Sequence, residues 1–174
     1  MNLLEIYKHI LFEQSGPHKY GCVMVDFNLP NLTKIHSVIN PNDVGEDGLE
    51  TEFHTTLLYG LHPEVPLGKV TSIIRNYEFL PCLLHNVSLF ENEKSDVLKF
   101  DVKSANFDLI HDQLKLLPNS EKFPEYHPHM TIAYLKPGTG QKYLSTFRNL
   151  KFVVDPIKVV YSHPDGTKDD ITIN

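Results

Sequence analysis

Two short segments of this chain each carry a histidine and a threonine two residues apart. His54-Thr55-Thr56-Leu57-Leu58-Tyr59 and His129-Met130-Thr131-Ile132-Ala133-Tyr134 fit one pattern: His, any residue, Thr, two apolar residues, Tyr. In an extended strand residues i and i+2 point to the same face, so each copy offers an imidazole beside a hydroxyl. Two such strands facing one cleft would gather two histidines and two threonines around one phosphate. Phosphodiester cleavage needs a base to take a proton from the nucleophile and an acid to protonate the leaving oxygen. Imidazole, with an ordinary pKa of about 6.5, does either near neutral pH. The hydroxyls of Thr56 and Thr131 would bond the non-bridging oxygens as these gain charge. If the nucleophile is a ribose 2′-hydroxyl, the protein need supply neither a nucleophile nor a metal.

The elements around the two motifs repeat as well. An apolar run at 22–27 and a helix-like stretch at 31–39 precede the first copy; an apolar run at 97–102 and a helix-like stretch at 106–117 precede the second. Cys22 precedes His54 by as many residues as Val97 precedes His129. The chain therefore reads as two diverged copies of one unit, strand, helix, HxT strand. Around these units the pattern predicts a helix over 2–14, ended by Ser15-Gly16-Pro17, and a strand from Tyr20 to Phe27. Asn31 is a candidate cap for the helix to Ile39. Residues 40–48, rich in Asn, Asp, Gly and Pro, read as a loop, and 53–61 as the first HxT strand. A helix through Tyr77, a hairpin of strands at 85–90 and 97–102, and a polar loop at 118–128 follow. The second HxT strand spans 129–135, then come a short helix and strands near 151–154, 157–162 and 170–173. Alternating strands and helices with no low-complexity linker predict one α+β domain, 1–174, of two related lobes.

The length of 174 residues suits one domain, and 41% hydrophobic residues suffice for a real core. The formal charge is −6 and the 16 Lys and Arg are scattered, which argues against tracking a long nucleic acid and for a compact phosphate ligand. Cys22 and Cys82 are too few for a disulfide framework, and Cys22 lies in an apolar run as a buried thiol would. The start lacks a signal-peptide pattern, and no apolar run approaches the ~20 residues that span a bilayer. A soluble, cytoplasmic protein with no membrane partner is expected.

Other candidates carry less. His127 and His129 form an HxH pair, but a zinc site needs three or four ligands, and no Cys or carboxylate stands beside them in a ligand motif. No metal and no cofactor are expected. His62 follows Gly60-Leu61 in a turn; His9, His36 and His111 fall on predicted helices as ordinary half-exposed residues; His18, His85 and His163 sit near loops or strand ends. Tyr20 opens the strand beside the first motif, where an aromatic ring can stack on a base or simply pack. Tyr59 and Tyr134 lie five residues after each histidine, an odd spacing that sends them to the opposite face and into the core. Lys136 ends the second HxT strand and is a candidate phosphate neutraliser, or else a solvated turn residue.

With its paired His54-Thr55-Thr56 and His129-Met130-Thr131, the chain resembles the two-histidine (2H) phosphoesterase superfamily over about residues 18–174. The resemblance implies a bilobal fold of two antiparallel sheets flanked by helices, with both motifs in the cleft between lobes. It also implies His54 and His129 as acid and base and Thr56 and Thr131 as phosphate binders. The contexts Glu50-Thr51-Glu52-Phe53-His54, Leu58-Tyr59-Gly60-Leu61-His62, Tyr126-His127-Pro128-His129 and Ala133-Tyr134-Leu135-Lys136-Pro137-Gly138 are similar to the phage anti-CBASS cyclic-oligonucleotide nucleases. These enzymes destroy the cyclic nucleotide messengers of a bacterial immune system. That likeness implies a metal-independent phosphodiesterase acting on small cyclic oligonucleotides of the 3′,3′-cyclic GMP-AMP type, in the cytoplasm of an infected host, with Tyr20 as a base-stacking residue. The same motifs also fit a 2′,3′-cyclic or 2′-5′ phosphodiesterase acting on RNA ends. A third reading is a cleft that holds a cyclic nucleotide without turning it over.

Overall fold

The computed structural model describes residues 18–29 and 32–173, with backbone alone at Leu32 and Thr33. The helix expected over 2–14 and the cap expected at Asn31 lie outside the described residues. The strands are β1 (Gly21–Phe27), β2 (Val44–Leu49), β3 (His54–Leu61), β4 (Cys82–Glu91), β5 (Asp96–Lys103), β6 (His129–Leu135), β7 (Phe152–Val154), β8 (Pro156–Ser162) and β9 (Lys168–Ile171). The helices are α1 (Leu32–His36), α2 (Leu67–Ile74), α3 (Phe107–Leu114) and α4 (Gln141–Phe147). They build two antiparallel sheets, β3-β1-β8-β9 and β2-β6-β5-β4-β7. This is the α+β architecture of two antiparallel sheets that the duplicated units predict.

The duplicated unit survives in the pairing. β1 lies antiparallel to β3 and β5 antiparallel to β6, each pair joined through a helix. Asp26 stands opposite His54 and Met24 opposite Thr56; Asp101 stands opposite His129 and Lys99 opposite Thr131. Alternation along the strands then sorts the faces. Val23, Val25 and Phe27 of β1 and Leu98, Phe100 and Val102 of β5 turn to one continuous core shared by both sheets. Phe107, Ile110 and Leu114 of α3 and Val70 and Ile74 of α2 pack into it. The opposite face of the first sheet carries a second, small apolar patch of Cys22, Met24 and Val160, with Tyr59 against it.

The segment 40–48 is not a plain loop. Asn40 caps a 3-10 turn at Pro41–Asp43, and β2 then runs along β6. Its register with β6 is broken between Val44 and Leu49. An edge position tolerates such interruption, so a Gly- and Asp-rich stretch can serve as a strand there. The other expected elements stand with shifted ends: α2 stops at Ile74, α3 at Leu114, and the last strand is Lys168–Ile171.

Candidate active site

β3 is the edge of the first sheet and approaches β6 of the second, so the two HxT motifs meet where the sheets join. The histidines and threonines are half-buried, while the residues between them, Thr55 and Met130, are fully buried. Each imidazole is held the same way. His54 Nδ1 lies 2.8 Å from the Glu52 carbonyl and His129 Nδ1 2.9 Å from the His127 carbonyl. A carbonyl only accepts, so Nδ1 carries the proton in both rings, and Nε2 is the basic nitrogen of the neutral form.

The segments leading into the motifs are fixed to their neighbours. Phe27 N donates to the Phe53 carbonyl at 2.8 Å, and Val102 N to the Pro128 carbonyl at 2.9 Å. In the first copy the Glu50 carboxylate, 4% exposed, accepts from Thr51 N at 2.8 Å and Glu52 N at 2.9 Å, and Glu50 N donates to the Ile132 carbonyl of β6. Glu50 therefore sets the turn whose Glu52 carbonyl orients His54.

Both HxT strands bulge at the same place. Val23 pairs with Leu58 but Met24 with Thr56, which leaves Leu57 extra; Leu98 pairs with Ala133 but Lys99 with Thr131, which leaves Ile132 extra. One inserted residue reverses the alternation beyond it. Tyr59 and Tyr134, which strict alternation sends away from the histidines, consequently return to their face. Tyr59 is half-buried and lines both cavities of the site, and Tyr134, though buried, lines the larger.

The larger cavity, about 750 Å³, borders His54. Its walls include Tyr20, Asp26, Glu50, Tyr59 and Lys158, over the apolar floor of Cys22, Met24 and Val160. The smaller, about 350 Å³, borders Thr56 and His129 and is lined by Phe90, Lys99, Phe123 and Tyr126. Thr131 is half-buried opposite Lys99 on β5. Tyr20 sits at the larger cavity with its ring stacked on His62, centroids 5.8 Å apart, and edge-on to Tyr59. A hydrogen bond from Ser120 and the nearby Lys19 lower its phenol pKa. Lys136 takes a different place: its Nζ donates to the Asn42 carbonyl at 2.7 Å, and it lines neither cavity.

The cation beside the second motif is Lys99. It is 6% exposed, with Nζ 2.9 Å from both Ser88 Oγ and Asp101 Oδ1 and 4.3 Å from the Phe90 ring centroid. Burial pushes the Asp101 carboxyl up, but the hydrogen bonds from Lys99 and Asn86 outweigh it, and its pKa falls below the ordinary value. Asn86 reaches Asp101 from a bulge in β4, where its φ of 49° marks a left-handed turn. The first motif is built differently. Met24 occupies the position equivalent to Lys99, and Lys158 Nζ stands 3.8 Å from the Asp26 carboxylate. Desolvation raises the Asp26 pKa, with the His54 charge opposing. Among the described residues no three His, Cys, Asp or Glu side chains are placed to share one cation. His127 points its ring at Glu125 instead, 3.2 Å away on the surface.

Asp26 and Glu50 at the larger cavity and Lys99 and Asp101 at the smaller are not among the residues that the sequence motifs single out. Asp26 and Asp101 had a legible signal: Asp26 precedes His54 by as many residues as Asp101 precedes His129. Tyr126 and the bulges had none.

The comparisons with known proteins agree with this architecture. The family described as anti-CBASS protein Acb1 matches residues 21–160. Among solved structures, Kluyveromyces marxianus Usb1 with uridine monophosphate superposes with a TM-score of 0.62 at 11% identity, covering 90% of this chain and 99% of that one. A structure titled phosphoesterase superposes with a TM-score of 0.50 at 14% identity, covering 88% and 95%. No curated protein matches the chain in sequence. Among the described residues no helix is long and apolar enough to cross a membrane.

Proposed function

The chain belongs to the anti-CBASS Acb1 family, and from that premise we propose that it is a metal-independent phosphodiesterase that opens small cyclic oligonucleotides of the 3′,3′-cyclic GMP-AMP type. The observation that carries this reading is the pair of repeat-related HxT strands, one from each sheet, with both imidazoles pinned through Nδ1–H to the carbonyl two residues before. Two rings in the same tautomer, each with a basic Nε2, are what a base and an acid on opposite sides of one phosphate require.

In the proposed reaction one histidine takes the proton of a ribose 2′-hydroxyl through Nε2. The 2′-oxygen attacks the adjacent phosphorus and the bond to the 5′-oxygen breaks. The second histidine, entering protonated, gives its proton to that leaving oxygen. The product is a linear oligonucleotide ending in a 2′,3′-cyclic phosphate. Thr56 and Thr131 donate to the non-bridging oxygens, and Lys99 balances their charge beside the second motif. Tyr20 and Tyr59 on one side and Phe90 and Tyr126 on the other offer ring faces and edges for bases. An acidic chain with separate, compact cavities favours a small ligand over a polymer.

The test is chromatography of 3′,3′-cyclic GMP-AMP incubated with the protein in EDTA, beside His54→Ala and His129→Ala. Linear product from the wild type and a loss of at least ~10²-fold in each variant are expected. A substrate with 2′-deoxyribose at the scissile linkage should stay intact; its cleavage at full rate would rule the mechanism out. Cleavage only of RNA 2′,3′-cyclic ends or 2′-5′ linkages would reassign the substrate. Intact ligand recovered in complex would make the protein a binder.

A further inference from the structure

Each bulge has one extra residue in its HxT strand, Leu57 or Ile132, and both are fully buried. A backbone carbonyl at a buried position needs a donor. Both find a histidine, and each histidine comes from the other copy. His111 of α3, 3% exposed and part of the second unit, has Nδ1 2.7 Å from the Leu57 carbonyl of the first motif. His36 of α1, part of the first unit, has Nε2 3.0 Å from the Ile132 carbonyl of the second. Because the carbonyls only accept, both rings donate. His36 precedes His54 by as many residues as His111 precedes His129, so these histidines are themselves repeat partners.

Their surroundings lead to the motifs. The His111 ring is stacked on Tyr126, centroids 4.2 Å apart and planes 9° apart, and the Tyr126 hydroxyl donates to the Thr56 carbonyl at 2.9 Å. On its other side His111 Nε2 is 3.4 Å from the buried Glu121 carboxylate, which Lys115 also meets at 3.2 Å. The His36 ring packs near Phe53, the residue before His54, with centroids 6.3 Å apart. The Ile132 carbonyl it holds also accepts from Glu50 N, whose carboxylate sets the turn before His54.

We infer that His36 and His111 are reciprocal positioning residues, each reaching from the helix of one copy to the bulge carbonyl of the other copy's HxT strand and so fixing the two motifs relative to each other. The inference takes His54 and His129 as the reacting pair, and so rests on the function proposed above. Two groups acting on opposite sides of one phosphorus lose rate steeply with small errors of spacing; a misplacement of about 1 Å costs on the order of 10²-fold. The motifs lie in different sheets, and crossed contacts of this kind resist their sliding or parting.

The test uses the full chain with His36→Leu, His36→Gln, His111→Leu and His111→Asn. The Gln amide nitrogen stands near the imidazole Nε2 position and the Asn amide nitrogen near Nδ1, so those variants keep a donor. Amide exchange over 129–135 and 54–60 and steady-state kinetics on 3′,3′-cyclic GMP-AMP are both measured. His36→Leu should speed exchange over 129–135 about 10-fold and leave 54–60 near wild type; His111→Leu should do the reverse. Each should lower kcat about 10-fold with KM within about twofold. The donor-keeping variants should recover most of both losses. Should His111→Leu fail to fold, with Glu121 left facing a leucine, His36→Leu at its half-buried site decides. Wild-type exchange over 129–135, loosening of the histidine's own copy instead, or an unchanged kcat in His36→Leu would each overturn the inference. If the wild type cleaves no substrate, the proposed function falls, and the crossed exchange pattern alone decides whether the clamp exists.

Discussion

Glu50 offers a direct test of how the first motif is held. Its carboxylate is nearly buried and one oxygen, Oε1, takes two backbone N–H bonds, from Thr51 at 2.8 Å and Glu52 at 2.9 Å. Hydrogen bonds to a charged group contribute about 1.5–3 kcal/mol each. Thr51 and Glu52 are exposed, so water recovers part of the loss when the carboxylate is removed. Glu50→Ala should therefore cost about 3 kcal/mol, near the lower end for two such bonds. In a chain of this size 1 kcal/mol lowers Tm by about 2–4 °C, which gives a fall of roughly 6–12 °C. Glu50→Gln keeps an oxygen acceptor without the charge and loses roughly half the strength, so Tm should fall by about 3–6 °C. Calorimetry or circular dichroism at neutral pH reads both. The same change frees the Glu52 carbonyl that orients His54, so kcat should drop about 10-fold in Glu50→Ala with a smaller change in KM. An alanine variant melting within about 2 °C of wild type would refute the reasoning, because water would then serve the turn as well as the carboxylate does.

Asp26→Asn should raise Tm at neutral pH. Desolvation raises the folded pKa of Asp26, so its contribution to stability is fully present below the unfolded carboxylate range and lost as pH rises through the folded value; the gain from Asn should fade as pH falls, and melting curves from pH 3 to 8 check it. Asp101→Asn should do the opposite: the folded pKa is lowered, so the carboxylate stabilises the fold above the unfolded range and that advantage is lost as pH falls through the folded pKa. Acid titrations of wild type and variant should converge at low pH. Gly60→Ala should destabilise by at least about 1–2 kcal/mol. Gly60 has φ of 112° and an added Cβ would stand 2.9 Å from Glu121 N. Urea unfolding reads the loss, and faster proteolysis of the 118–128 loop should accompany it. Overnight dialysis against EDTA should leave turnover of a cyclic dinucleotide unchanged; a loss restored by zinc would bring back the His127/His129 pair as ligands.

The repeated HxT motif, the equal steps to the strands before it, and the two lobes they imply were all legible in the chain. They rest on local rules. Period-two alternation sorts His54 from Thr55 and His129 from Met130, and a duplicated unit keeps its spacing as it diverges. The Pro- and Gly-marked turns at 63–66 and 164–166 bounded the elements for the same reason. The segment 40–48 has the composition of a loop, and only the open edge of β6 makes part of it a strand.

What only the tertiary structure decided depends on pairing between distant residues. A bulge is a property of two strands, so neither Leu57 nor Ile132 announces itself as the extra residue, and the turn of Tyr59 and Tyr134 toward the site follows from it. Lys136 lies next to the second motif in sequence but bonds the Asn42 carbonyl, whereas Lys99, thirty-two residues before Thr131, stands opposite it across one strand pair. His36 and His111 look like ordinary helix residues until the sheets bring each against the other copy's bulge. The sequence by itself determined which groups can do acid-base chemistry and that there are two sets of them. Folding decided how those sets are held, because a buried carbonyl or charge takes the partner that close packing brings within reach, whatever their separation along the chain.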